Sequence, residues 1–182
     1  MLYLDTLARF AAEASLARLG ESATTAARLV LLDTLGAMLA GSAQPENARL
    51  ARAMAERASR PAATLVGHDA KADPLLATLV NATAGVALEV DEGNRWGGGH
   101  PAIHVVPGAL AVAEERGADG ARLLEAIVAG YEVSSRIGTA TTPRPMCIRT
   151  GPGGPSAPRW RWPASPASTR ARCGRSSTSP RA

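Results

Sequence analysis

The chain has few cysteines, few aromatic residues and no long apolar run, and each shortage excludes a class of protein. Both cysteines, Cys147 and Cys173, lie near the C-terminal end, so the first 146 residues have no disulfide framework and no thiolate metal site. Aromatic residues make up 3% and hydrophobic residues 46% of the sequence. The core must therefore consist mainly of Ala, Leu and Val, which suits closely packed helices. The longest apolar run, 29–40, contains Asp33 and Thr34 and is too short to span a membrane.

Charge is distributed unevenly along the chain. Residues 1–146 contain 12 Arg, one Lys and all 16 acidic residues, which gives 13 − 16 = −3, whereas residues 147–182 contain 7 Arg and no acid. The slightly negative body argues against nucleic-acid binding, including a helix-turn-helix regulator, and nothing indicates a membrane partner. Asp5, Arg9 and Glu13 near the N-terminus do not fit a secretory signal, so we expect a cytoplasmic protein.

Hydrophobic periodicity predicts an all-α body, a helical bundle of about six helices. Gly20 is expected to end the first helix and Ser22 to cap the second, a central helix buried on most sides. Asp73 followed by Pro74, and Asp119, mark further helix starts. The expected helices are 2–19, 22–40, 45–59, 74–88, 101–116 and 121–137, with a short strand or extended connector at 63–67.

The C-terminal segment 147–182 has a different composition from the rest. It contains no Leu and no Val, but six Pro, six Ser and seven Arg. One interpretation is a disordered basic tail. The other is a shifted reading frame after Met146, because GC-rich codons for this segment, read two bases later, can spell HPHGPWGTVGAA and a following amphipathic helix. The sequence thus predicts a body at 1–146 and an off-frame or disordered tail at 147–182.

The segment 87–107 contains the chain's most concentrated polar chemistry. Three carboxylates (Glu89, Asp91 and Glu92) occupy four positions at the expected C-terminal end of a helix, where the helix dipole disfavours negative charge. Asn94, Arg95, three glycines and His100 follow. Carboxylates beside a histidine form a possible acid/base pair, and an arginine could bind a substrate carboxylate.

Two other interpretations of this segment stay open. A solvated acidic helix end followed by a glycine loop would carry no chemistry. Alternatively, the carboxylates could join His100 and His104 around a metal ion, although no closed ligand spacing is present. We expect His104 to lie in the core or in a pocket because its neighbours are apolar, and we expect His68, in a polar loop, to be exposed to solvent.

Four segments together resemble the MmgE/PrpD family, which includes 2-methylcitrate dehydratase of propionate catabolism, cis-aconitate decarboxylase and related epimerases. The resemblance rests on LLDTLGAMLAG at 31–41, LVNATAGVALEVDEGNRWGGGHP at 79–101, VVPGALAVAEERGADG at 105–120 and LLEAIVAGYEVSSRIG at 123–138. The string recovered from the tail, HPHGPWGTVGAA, also resembles the family's next motif. Family members often have Asp at the position of Glu92 and Thr at that of Gly93, and His104 is not expected at its position.

The resemblance implies a chain that forms part of a large helical domain, with a smaller α/β domain, an active site between the two and usually a homodimer. It implies no metal, no iron–sulfur cluster and no other cofactor. The implied reaction is acid/base elimination of water from a small di- or tricarboxylate, with decarboxylation or epimerisation in relatives. His100 and Asp91 are then catalytic, and the expected substrate-binding residues are Glu89, Glu92, Asn94 and Arg95.

The chain as given would lack the α/β domain and the rest of the helical domain. Half of an interdomain site cannot position a substrate, so we expect a truncated chain that is inactive alone. The alternative function is a non-catalytic helical fragment or dimerisation module, such as a pseudogene product.

Overall fold

A computed structural model describes residues 3–141 of the chain, and this part is all-α as the periodicity predicts. The predicted tail at 147–182 lies outside the described residues. Within 3–141 there are six helices and one two-stranded antiparallel ribbon, in which Ala63 pairs with Ala72 and Thr64 with Lys71. The elements are α1 Tyr3–Glu13, α2 Leu16–Ser42, α3 Pro45–Glu56, β1 Ala63–Thr64, β2 Lys71–Ala72, α4 Pro74–Val86, α5 Pro101–Arg116 and α6 Gly120–Ala140.

The first helix ends earlier than its apolar pattern predicts. The chain leaves α1 after Glu13, passes through an extended Ser15, and starts α2 at Leu16, whose N–H donates to Glu125 Oε1 on α6 (3.0 Å). Gly20 interrupts the helical geometry inside α2, with φ of 78° and ψ of 169°, so the span Leu16–Ser42 consists of two helical pieces joined at a kink. The predicted break at Gly20 is therefore present, whereas one helix over 2–19 is wrong, because the chain already leaves α1 after Glu13. Ser22 lies within the helical span and does not begin it.

Helices α2 and α4 approach each other so closely that a side chain is excluded at Gly41. A Cβ added there would lie 1.9 Å from the backbone oxygen of Ala84. Beyond this contact, Met38 packs with Ile103 and Val106 of α5 and Ile127 of α6 in a buried cluster of small and medium apolar side chains. The glycine is thus required because two helix backbones are in contact, not because of its backbone freedom.

The exposed surface of α2 corrects the expectation of a central helix buried on most sides. Leu29, Leu32 and Leu39 are 61%, 68% and 57% exposed. They lie on the side of α2 that faces away from its partner helices in this part of the chain. Among residues 3–141, α2 is also the one helix long and apolar enough to cross a membrane. Core helices of soluble proteins pass the same test, so this is weak evidence of a membrane location.

The loop around the β-ribbon is held by buried polar side chains. Asn81 of α4 accepts from Val66 N through Oδ1 (2.9 Å) and donates to Thr64 O through Nδ2 (2.9 Å). The expectation that His68 is solvent-exposed is wrong, because it is only partly exposed and its Nε2 is buried without a hydrogen-bond partner among the described residues. The close packing of the loop on α2 and α4 explains this burial.

Glu114 fastens the ribbon to α5. Its two carboxylate oxygens accept from the backbone N–H and from the hydroxyl of Thr64, both at 2.6 Å. The partners are 50 residues apart in sequence, so this contact is tertiary and nothing local predicts it.

We expect Glu114→Ala to lower the free energy of unfolding by about 1–3 kcal/mol, because it leaves the partly buried N–H of Thr64 without an acceptor. Urea unfolding monitored by circular dichroism measures the loss. Glu115→Ala is the matched control, since Glu115 is the exposed neighbour on the same helix. Equal stability of the two variants would contradict the anchoring role of Glu114.

Two predicted helix starts are confirmed, but the side chain of the preceding aspartate caps only one of them. Asp119 caps α6 by accepting from Arg122 N (2.9 Å). Asp73 precedes Pro74 at the start of α4, but its carboxylate accepts from the backbone N–H groups of Ser59 and Arg60, both at 2.8 Å, instead of capping its own helix. The hydrogen bond from the Ser59 N–H lowers the pKa of Asp73 below its usual value.

Candidate active site

The candidate site lies in the connection between α4 and α5, residues 87–100. Helix α4 ends at Val86 instead of the predicted Leu88, so the three carboxylates follow the helix and are not part of it. The chain then turns at Glu89, whose φ is 56°, the one non-glycine residue among 3–141 with a positive φ. A non-glycine residue in this region carries backbone strain of about 1–3 kcal/mol, and such strain is concentrated at functional sites.

The triple-glycine segment folds this connection back on itself. Asn94 and Gly99 form an antiparallel bridge, in which Asn94 N donates to Gly99 O (2.7 Å) and Gly98 N donates to Asn94 O (3.0 Å). Gly98 adopts a φ of 68°, which only glycine adopts readily. The fold-back brings the acidic segment beside the residues that begin α5.

Asp91 and His100 meet at this fold. The Nδ1 atom of His100 is 3.2 Å from Oδ2 of Asp91. The Asp91 side chain is 6% exposed and that of His100 is 48% exposed, so the carboxylate is enclosed while the imidazole still faces solvent. An ionised carboxylate can only accept hydrogen bonds, so this placement favours a His100 ring that carries a proton on Nδ1. Its Nε2 is then the atom left for proton transfer to or from a ligand.

Glu92 links three elements. Its Oε1 accepts a hydrogen bond from the hydroxyl of Tyr131 on α6 (2.5 Å), and its Oε2 accepts from Ala102 N in the first turn of α5 (3.3 Å). A carboxylate at this position is also favoured by the positive end of the α5 dipole. Burial, and then the hydrogen bond to Glu92, raise the pKa of Tyr131 to about 12, so the phenol is a neutral donor near neutral pH.

Asn94 uses both ends of its amide within the protein. Its Nδ2 donates to Tyr131 Oη (3.1 Å) and to Ser135 Oγ (3.0 Å). Its Oδ1 accepts from the backbone N–H groups of Trp96 (2.8 Å) and Gly97 (2.7 Å). An Asn side chain that bonds its own chain two and three residues on stabilises a turn. Asn94 therefore fixes the loop to itself and to α6.

The remaining predicted residues face outward. Glu89 and Arg95 are exposed, and Trp96 beside them is 86% exposed. His104 is exposed as well, so the expectation of a core or pocket histidine is wrong. The reason is the phase of α5, in which Ile103 and Val106 face the core and His104 falls on the other side.

A pocket of about 460 Å³ lies next to the loop, on the side of Asn94. Neither Asp91 nor His100 is among its lining residues, which are Tyr3, Asn94, Trp96, Glu132, Ser135, Arg136, Thr139 and Ala140. The acid/base pair is thus at the surface of the described domain and not inside an enclosed cavity. Within residues 3–141, no group of three or more His, Cys, Asp and Glu side chains is placed to hold a metal ion.

Tyr131 and Ser135 belong to the site, although the sequence analysis did not predict either of them as a site residue. The signal that could have identified them is their spacing. Two hydroxyl residues four positions apart lie on one face of α6, the same face that carries the buried Ile127. Polar groups on an inward face need partners, and the α4–α5 connection supplies them.

The fold and the site together define an all-α domain in which a strained loop holds a carboxylate–histidine pair at the start of a helix. A comparison with known protein families matches residues 5–157 to the MmgE/PrpD N-terminal domain. The chain belongs to the MmgE/PrpD family, as the sequence motifs indicate. The matched range continues past Met146, so the boundary and the frameshift placed there stay predictions. No curated protein and no solved structure matches the chain.

Proposed function

We propose that this site contributes to acid/base elimination of water from a small di- or tricarboxylate, the reaction of 2-methylcitrate dehydratase. The observation that carries the proposal is the Asp91–His100 pair, with 3.2 Å between Oδ2 and Nδ1 and a half-exposed imidazole. A buried carboxylate that orients a histidine, with the far ring nitrogen accessible, suits general acid/base catalysis. In this proposal His100 transfers the proton and Asp91 orients the ring.

The substrate is bound in this proposal by the exposed groups of the loop. Arg95 provides an exposed guanidinium for a substrate carboxylate, and Glu89, which is also exposed, is the residue that the sequence predicts as a further substrate contact. Glu92 and Asn94, which the sequence predicts as further substrate contacts, already have protein partners for their polar atoms. Direct substrate contact is therefore better supported for Arg95 than for these two residues.

We further propose a cytoplasmic homodimer that needs more of the family's chain than these 182 residues for turnover. The exposed leucines of α2 support an additional partner, because large apolar side chains clustered on one helix face are unfavourable in water. The surface position of the acid/base pair supports a site completed by another part of the protein, since water-exposed groups cannot hold a substrate rigidly.

The test compares two forms of the protein. The first is the 182-residue chain, and the second, the frame-restored protein, is expressed from a gene corrected after the codon for Met146. Both are assayed with a panel of 2-methylcitrate, citrate, cis-aconitate and smaller hydroxy-dicarboxylates by following product formation. We expect turnover by the frame-restored protein and none by the short chain. A frame-restored protein that folds but acts on no member of the panel would overturn the proposed elimination.

A non-catalytic helical fragment or dimerisation module is the second candidate, and it is favoured by the same exposed leucines, Leu29, Leu32 and Leu39. Light scattering on the purified 182-residue chain separates the two candidates when combined with the assay. A defined dimer without any turnover in either form of the protein would favour this second function.

A further inference from the structure

We infer that Tyr131 is a positioning residue, which acts through Glu92 to hold the Asp91 carboxylate against His100. The catalytic consequence of this inference rests on the proposed elimination. The geometric part does not, because it concerns only the relative placement of side chains in the described domain.

The connectivity of the hydrogen bonds carries the inference. Glu92 follows Asp91 directly in sequence, and Ala102 comes two residues after His100. The Glu92 carboxylate bridges these two segments, because it accepts from Ala102 N and from the Tyr131 hydroxyl. The segment with Asp91 and Glu92 is therefore joined to the segment with His100 and Ala102 by two contacts, Asp91–His100 and Glu92–Ala102. Tyr131 attaches the second of these contacts to α6.

Tyr131 also holds the loop on the other side of Gly93. Its oxygen accepts from Asn94 Nδ2 (3.1 Å), and the same nitrogen donates to Ser135 Oγ one turn further along α6. The loop is thus attached to α6 at Glu92 and at Asn94. These two attachment points lie on either side of Gly93. They fix the direction of the chain at this glycine, whose backbone is otherwise flexible.

The ring and the hydroxyl of Tyr131 have separable roles. The ring packs against the buried cluster that includes Met38, Ile103 and Ile127, so it contributes to the core. The hydroxyl alone reaches Glu92 and Asn94. Tyr131→Phe removes the positioning contacts and retains the ring, which makes it the variant that distinguishes positioning from packing.

The tautomer of His100 is the readout, because an Asp91 carboxylate 3.2 Å from Nδ1 favours the ring form that carries its proton on that atom. Long-range ¹H–¹⁵N correlation spectra of the ¹⁵N-labelled 182-residue chain, recorded where histidines are neutral, report the tautomer of each ring. His100→Gln identifies the signal of His100 among the three histidines of the chain. We expect the Nδ1–H form to predominate in the unaltered chain and to become the minority form in Tyr131→Phe, with unchanged helical content by circular dichroism.

Three further variants sharpen the test. Tyr3→Phe removes a hydroxyl from the other tyrosine of the chain and should leave the tautomer of His100 unchanged. Glu92→Gln retains the bridge, because its amide oxygen can accept from Ala102 N while its NH₂ group donates to the Tyr131 oxygen. Glu92→Ala removes the bridge. We therefore expect Glu92→Gln to resemble the unaltered chain and Glu92→Ala to resemble Tyr131→Phe.

The outcomes of this test distinguish the positioning role of Tyr131 from the proposed function. A Tyr131→Phe chain that keeps the Nδ1–H form, whether or not its stability falls, would overturn the positioning role. The tautomer could shift in Tyr131→Phe while the frame-restored protein shows no elimination activity. That result would support the positioning role of Tyr131 and would contradict only the proposed function. In a frame-restored protein with turnover, Tyr131→Phe should lower kcat while KM changes little.

Discussion

Replacing His100 with Ala is expected to lower the kcat of the frame-restored protein by about 10²- to 10⁴-fold, the range that a positioned general acid or base contributes. The imidazole is the group of the Asp91–His100 pair that solvent can reach, so its loss removes the proton-transfer step. The fold should persist, because His100 is half-exposed and is not among the buried residues of the core. Steady-state kinetics with the substrate found in the panel measure the loss.

His104→Ala is the matched control for this variant. His104 lies four positions after His100, in the first turn of α5, and is exposed. We expect its kcat to stay within about twofold of the unaltered protein, as for surface substitutions away from a site. Turnover retained in His100→Ala would remove this residue from the mechanism.

Gly41→Ala is expected to destabilise the helical domain by about 3 kcal/mol or more, at the upper end of the cost of overpacking. The added Cβ would lie 1.9 Å from Ala84 O and 2.8 Å from Ala84 C. Ala84 O is a backbone atom that also accepts from Ala87 N, so it cannot move aside as the end of a flexible side chain does. The two helices must therefore separate, and the contact between α2 and α4 is the most extensive in the domain. Thermal and urea unfolding measure the change.

Gly36→Ala provides a control on the same helix. Gly36 is exposed, and a Cβ placed there would meet no atom within 4 Å. We expect this variant to gain up to about 1 kcal/mol of stability from the better helix propensity of alanine. If the two variants had the same stability, the close approach of α2 and α4 would not be a feature of the folded protein.

The features of the fold that the sequence predicted are those that depend on neighbouring residues. Asp119 marks a helix start because capping acts within one turn, and Pro74 marks another because its fixed φ suits the first helical position. The break after Glu13 was not predicted, because it depends on a bond between Leu16 and Glu125. Similarly, periodicity identified the apolar residues of α2, but it could not show that Leu29 and Leu32 would lack a partner in this part of the chain.

The same distinction between local and tertiary contacts applies to the candidate site. Asp91 and His100 are nine positions apart and joined by glycines, so their meeting could be expected from the sequence, and the structure brings them together. Tyr131 is 39 positions from Glu92, and its part in the site arises only when α6 packs beside the loop. Glu92 and Asn94 were assigned to substrate on charge and polarity alone. Their partners on α6 come from a distant part of the sequence, so they could not be predicted without the fold.

The hydrogen bond from Leu16 N to Glu125 also has a consequence for the folding of this domain during its synthesis on the ribosome. Its partners are 109 residues apart. At about 5–20 residues per second, roughly 5 to 20 s pass between the synthesis of the two. During that interval the junction of α1 and α2 has no acceptor, and the apolar face that later covers Ile127 stays uncovered. The N-terminal helices can therefore reach their final arrangement only after α6 has emerged, and the nascent chain exposes apolar surface until then.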